Sequence, residues 1–297
     1  GENWDDDTRS PLTIPGIDVN EGDYLIAIDG AEVKTDDNPY RFLESKGSTT
    51  VTLKVNDRPR ADGAREVVVR PITRELNLRY AHWVKKRMRL TEELSDGRVG
   101  YIHLPNTAGA GNRMLQKMFY GQTSKDALIV DDRYNGGGFI PDRMIELASR
   151  TPLSYWARRG IQPARTPAYA HTGPKACLIN GLSSSGGDAF PYYFRKLGLG
   201  PVIGTRTWGG LIGLSGNPSL MDGGTIAIPR FRFYDTEGEW DVENVGVAPD
   251  IEVVDRPDLV AQGHDPTLEK AVEVLLEELG DRPREPVAEP AAPREPR

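Results

Sequence analysis

The first seventy residues carry short apolar runs and strict alternations. Tyr24-Leu25-Ile26-Ala27-Ile28 reads as a strand, and Asp29-Gly30 closes it with turn chemistry. Val51-Thr52-Leu53-Lys54-Val55 alternates apolar and polar with period two, as does Glu66–Arg70 through Val67 and Val69. Pro39–Ser45 suits a short helix, and Asn56-Asp57 and Ala61-Asp62-Gly63 supply turns. The period then changes. From Glu75 to Leu94 the residues Leu76, Tyr80, Trp83, Val84 and Met88 recur near helical spacing, with Lys and Arg forming the solvated side.

Beyond Gly97 strands and helices alternate. Val99–Leu104, Ala127–Val130, Ala176–Ile179 and Val202-Ile203 are short and apolar, while Arg113–Tyr120, Pro141–Ser149, Ser185–Leu197 and Pro266–Leu279 read as helices. This order predicts a mixed or parallel sheet with helices packed on it. Thr225–Ile228 and Arg230–Phe233 add strand-like sequence. The final 18 residues hold five prolines and almost no large apolar side chains, so a disordered tail is expected. The expected organisation is therefore a β-rich α+β domain (1–73), a linker helix (74–96), an α/β domain (97–279) and the tail (280–297).

Composition narrows the function classes. Of 297 residues 38% are hydrophobic and 27% charged, enough apolar sequence for two cores. No run approaches the roughly 20 apolar residues needed to cross a bilayer, and no stretch resembles a secretory signal. Cys177 stands alone, so no intrachain disulfide forms, which favours a reducing compartment. A net charge of −7 gives no encouragement to nucleic-acid or anionic-membrane partners. The chain opens on Gly1 without Met, as the interior of a longer protein would. Glycine is in excess, at 32 residues.

The histidines at 82, 103, 171 and 264 have no spacing that converges on a metal, so neither a metal site nor a cofactor is expected. Gly109-Ala110-Gly111 and Gly136-Gly137-Gly138 lack the rest of a phosphate-binding motif. Two segments do suggest chemistry. Asp131–Phe139 places three glycines between an apolar strand and a helix, where bare backbone N–H groups suit an oxyanion. Asn180–Phe190 places Ser183, Ser184 and Ser185 where a helix begins. A serine there is either an ordinary N-cap or a nucleophile flanked by the Gly186 amide and helped by the helix dipole. Ser183 stands where the α/β-hydrolase elbow demands glycine, which excludes that motif.

Arg133-Tyr134-Asn135-Gly136-Gly137-Gly138, Ser185-Gly186-Gly187-Asp188 and Glu243–Asp250 together resemble the C-terminal part of the tricorn protease family, over about Gly1 to Leu279. Tyr24–Gly30, after Gly22-Asp23, looks like the core of that family's PDZ domain without its first strand, and the remainder like its crotonase-like catalytic subdomain. The resemblance implies a serine endopeptidase of peptide substrates. Ser185 matches the nucleophile, and the Gly138 and Gly186 amides match the oxyanion hole. Glu243 matches a glutamate that orients the catalytic histidine through an intervening serine. In the family that histidine precedes the PDZ domain, so a missing N-terminal portion of the same protein is an expected partner. A cytoplasmic homo-oligomer, a hexamer, is implied as well.

His82, His103 and His171 are not expected to act as the base. A related Ser–Lys dyad is disfavoured too, because Thr205–Gly210 contains no lysine and Lys196 lies too far along the nucleophile's own helix. Thr151–Ile161, with Trp156, Arg158 and Arg159, is expected to border the substrate pocket. The alternative reading is a non-catalytic protein whose PDZ-like domain binds peptides by strand addition and whose second part assembles.

Overall fold

A computed structural model describes residue 6 and residues 8–214, 216–280 and 287–291. The chain divides into two compact units, 1–86 and 87–297. Most of the tail expected to be disordered lies outside the described residues.

In the first unit β1 (Tyr24–Ile28), β2 (Ala31–Glu32), β3 (Val51–Asn56) and β4 (Arg65–Val69) form an antiparallel sheet in the order β2-β1-β3-β4. Alternation buries Val51, Leu53 and Val55 on β3 and Val67 and Val69 on β4, and these pack with Ile28. The short helix is a 3-10 turn, Pro39–Leu43, started by the Asn38 side chain and a proline with the right φ. Helix α1 (Leu76–Leu94) follows.

The second unit is built on five parallel strands: β5 (Val99–His103), β6 (Ala127–Asp131), β9 (Lys175–Ile179), β10 (Val202–Gly204) and β11 (Ile251–Glu252). Their order is β11-β10-β9-β6-β5, so each strand joins the same edge as the sheet grows. β5, β6 and β9 are buried at every position, which is why they read as unbroken apolar runs rather than alternations. α2 (Gly109–Gln122) packs on β5, α4 (Gly186–Lys196) on β9 and β10, and α6 (Pro266–Leu279) across β5, β6, β9 and β10. The remaining helices are α3 (Pro141–Ala148) and the short α5 (Pro257–Ala261).

One expectation changes, and one regular element is added. Thr225–Ile228 and Arg230–Phe233 form no strand, only isolated bridges such as Gly213 to Phe231 and Ser219 to Thr225. Their apolar side chains are largely exposed, so no sheet gathers them. The region around Thr151–Ile161 is instead regular: β7 (Ser154–Arg158) and β8 (Ile161–Thr166) make a hairpin whose residues are almost all exposed, hiding the inside–outside pattern that marks a strand.

Candidate active site

Loops leaving the carboxyl ends of β5, β6 and β9 meet at one place, because parallel strands deliver their ends to the same edge. The loops after β6 and β9 are cross-bonded. Ser184 N donates to Asn135 O at 2.9 Å, Tyr134 N to Asn180 Oδ1 at 3.1 Å, and Ser183 Oγ to Asp132 O at 2.8 Å. Within the glycine loop Asn135 Oδ1 accepts the Gly137 N–H at 2.9 Å, and Gly137 O accepts Thr107 N from the β5 loop at 3.0 Å.

Ser185 sits at the head of α4 with φ 55° and ψ −114°, and its side chain makes no capping bond. This backbone region is nearly closed to residues with a Cβ and persists only where neighbours over-determine it. The neighbours are close. A Cβ on Gly137 would lie 2.7 Å from Ser185 Cβ, and one on Gly186 would lie 1.9 Å from Thr107 Oγ1 and 3.0 Å from Gly138 N. Glycine is therefore required where the two loops touch. No described residue accepts a hydrogen bond from the N–H of Gly138 or Gly186. Two adjacent amides beside a strained serine at a helix N-terminus can hold an anionic oxygen.

Glu243 approaches from a third direction on a turn that is strained on both sides, with Val242 at φ 69° and Asn244 at φ 60°. Its Oε2 accepts the N–H groups of Leu211 and Ile212 at 2.6 and 2.8 Å. Ser185, Gly138, Gly186 and Glu243 all line one open cavity of about 670 Å³. Its remaining wall is mostly apolar, from Phe139, Tyr193, Leu211, Ile212, Phe231 and Phe233.

The structure does not bring every expected residue there. Trp156 and Arg158 lie on β7 and Arg159 in the hairpin turn, all exposed, and none lines this cavity. Arg158 and Arg159 instead border a separate depression with Gln162 and Pro163. No histidine lines the cavity either. His103 is buried with Nε2 3.0 Å from Arg133 O, and burial lowers its pKa. His171 is buried with Nε2 3.0 Å from Lys125 O, His264 pairs with Glu269 at 3.0 Å, and His82 is exposed on α1.

The charged side chains of the glycine segment serve the scaffold. Arg133 turns inward, 2.6 Å from Asp131, 3.0 Å from Asp255 and 2.7 Å from Asp265, and so ties the end of β6 to the start of α6. Burial pushes the Asp131 carboxyl up, but the Arg133 charge outweighs it and holds the group below its ordinary value. Asp132, fully buried with the Asn135 amide on Oδ1, is pushed well above the usual carboxylate range by burial.

Sequence reasoning overlooked Thr107, Asn135, Asn180 and Asp188 as site-building residues. The first three hold loop against loop across 30 to 49 residues of chain, a pairing that no local pattern reveals. Asp188 did leave a signal, since Ser185-x-x-Asp188 has the spacing of a capping box.

Residues 98–253 match the model of peptidase family S41, and residues 1–74 match the tricorn protease PDZ domain. The chain belongs to peptidase family S41. Within it, the chain is 36% identical to tricorn protease homolog 1 of Streptomyces coelicolor over 95% of its length and 26% of that protein's. It is 34% identical to the tricorn protease of Thermoplasma volcanium, over 94% of this chain and 27% of that one. The crystal structure of the tricorn protease superposes with a TM-score of 0.87 at 33% identity, covering 94% of this chain and 27% of that chain. The chain thus spans about a quarter of the length of these relatives, and its architecture is that of the PDZ and crotonase-like parts of a serine peptidase.

Proposed function

We propose that this chain carries the nucleophile of a tricorn-type endopeptidase acting on peptides. Ser185 Oγ attacks the scissile carbonyl, and the Gly138 and Gly186 N–H groups receive the developing oxyanion. Each such donor contributes about 2.7–4 kcal/mol to lowering the barrier. Glu243 Oε1 orients, through an intervening serine, a histidine from another part of the protein. That histidine takes the Ser185 proton and later delivers it to the leaving amine. The apolar wall suits an apolar side chain next to the scissile bond. Trp156, Arg158 and Arg159 enter this reading as contacts for parts of a peptide outside the cavity. By resemblance the whole protein works as a cytoplasmic homo-oligomer, a hexamer.

The observation that carries the proposal is the strained backbone of Ser185 beside two amides with no protein acceptor. A structural N-cap would use its side chain to bond the helix; this one does not. In the full-length protein Ser185→Ala is expected to abolish peptide cleavage and labelling by a fluorophosphonate probe. Undiminished cleavage by that variant defeats the proposal.

A further inference from the structure

Asp188 lies one helical turn beyond Ser185, at the third position of α4, and is fully buried. A carboxyl group loses its hydration there, and burial raises its pKa, so an apolar residue would be the more stable occupant if packing were the only demand. Its bonds show what else is demanded. Oδ1 accepts the Gly209 N–H at 2.7 Å, while Oδ2 is buried without a hydrogen-bond partner among the described residues.

Asp188 touches both sides of the site, one through its backbone and one through its side chain. Asp188 N donates to Ser185 O at 2.8 Å, which ties the residue to the nucleophile turn. Gly209 belongs to the wall segment 207–212, which is fastened to that turn a second time by Trp208 N donating to Ser183 O at 2.9 Å. The far side of the same segment holds the Glu243 turn: Asn244 N donates to Gly209 O at 2.7 Å, and Glu243 Oε2 takes the Leu211 and Ile212 N–H groups. Segment 207–212 is thus a spacer between Ser185 and Glu243, and Asp188 bonds its near end. Gly209 itself has φ 80°, and a Cβ there would lie 2.6 Å from Gly246 N, so the spacer has little room to shift.

From this arrangement we infer that Asp188 is a positioning residue: it fixes the Ser185 turn at a set distance from Glu243 through the Gly209 N–H. The inference rests on the proposed role of Ser185. It differs from the capping-box reading of the same spacing, in which Asp188 serves only the start of the helix.

The test uses the full-length protein, with peptide cleavage and the rate of Ser185 labelling by a fluorophosphonate as readouts. Because a displacement of about 1 Å can cost about 100-fold, Asp188→Ala is expected to lower kcat and the labelling rate by at least about 50-fold, with KM changed less than about threefold. Asp188→Asn keeps an acceptor for Gly209 and is expected to stay within about fivefold of the parent. Asp188→Glu keeps the charge but pushes Gly209 outward by a methylene, and is expected to lose at least about 20-fold in kcat. The Asn and Glu variants decide the matter even if the Ala variant fails to fold. Equal kcat for these two, or a loss confined to KM, overturns the inference. A Ser185→Ala variant that still cleaves overturns both readings; an inactive Ser185→Ala beside an unimpaired Asp188→Ala overturns this one alone.

Discussion

Two helices of the second unit begin with glycines just after a parallel strand, and they begin in opposite ways. α2 follows β5 through Ala108, whose backbone is relaxed and extended at φ −120° and ψ −167°. Asn106 Oδ1 supplies the missing cap, accepting the Ala108 and Gly111 N–H groups at 3.0 and 2.9 Å. α4 follows β9 through Ser185, whose backbone is strained and whose hydroxyl caps nothing. A helix start that spends its acceptors on its own amides is scaffold. One that leaves its hydroxyl and first amide unspent beside the Gly138 amide of the β6 loop, and holds strain to do so, has what the proposed chemistry requires.

Several measurements would break or sharpen that contrast. Largest is the pair Gly186→Ala and Gly111→Ala, because a Cβ clashes at both, 1.9 Å from Thr107 Oγ1 and 1.7 Å from Asn106 O respectively. Both should cost stability, on the order of 2 kcal/mol by overpacking. Only Gly186→Ala should also depress kcat per correctly folded molecule, by about 100- to 1000-fold. Equal kcat losses at the two sites would erase the distinction.

Next comes Ser185→Gly, which relieves the positive φ. The unfolding midpoint in urea is expected to rise, with a gain of about 1 kcal/mol, while cleavage disappears. Asn106→Ala removes a working cap and should lower stability by about 1 kcal/mol without altering kcat. The smallest effect is electrostatic and concerns His103, which ends the strand feeding α2. Burial holds its pKa below the ordinary imidazole value of 6.5, so the unfolded chain binds the proton more readily. Stability is therefore lost as pH falls below 6.5, and His103→Gln should flatten that part of the stability–pH curve while matching the parent above it. An unchanged slope in the variant would assign the acid sensitivity to other groups.

Legibility followed locality. β1 and α6 run as the sequence predicts, and β5, β6, β9 and β10 differ by a residue or so, because full burial leaves a run of apolar residues that nothing else explains. α2 begins at Gly109, four residues before its apolar pattern, since its first turn is held by Asn106 rather than by side-chain packing. The β7–β8 hairpin was illegible because almost nothing on it is buried. In the site, the glycine run and Ser185 stood out as residue types. Thr107 and Asn135 did not, since their significance lies in contacts between loops far apart in the chain, and Asp188 showed only the spacing of a capping box.

The strain at Ser185 ties chemistry to intactness. Its backbone is kept in place by the loops that follow β5 and β6 and by the segment that follows β10, so loosening any one of them lets the serine relax to an ordinary conformation. A slightly opened molecule would then fall silent well before it unravels. On the proposed peptide-cleaving role, this amounts to a built-in safeguard: damaged copies lose their bite before they lose their shape.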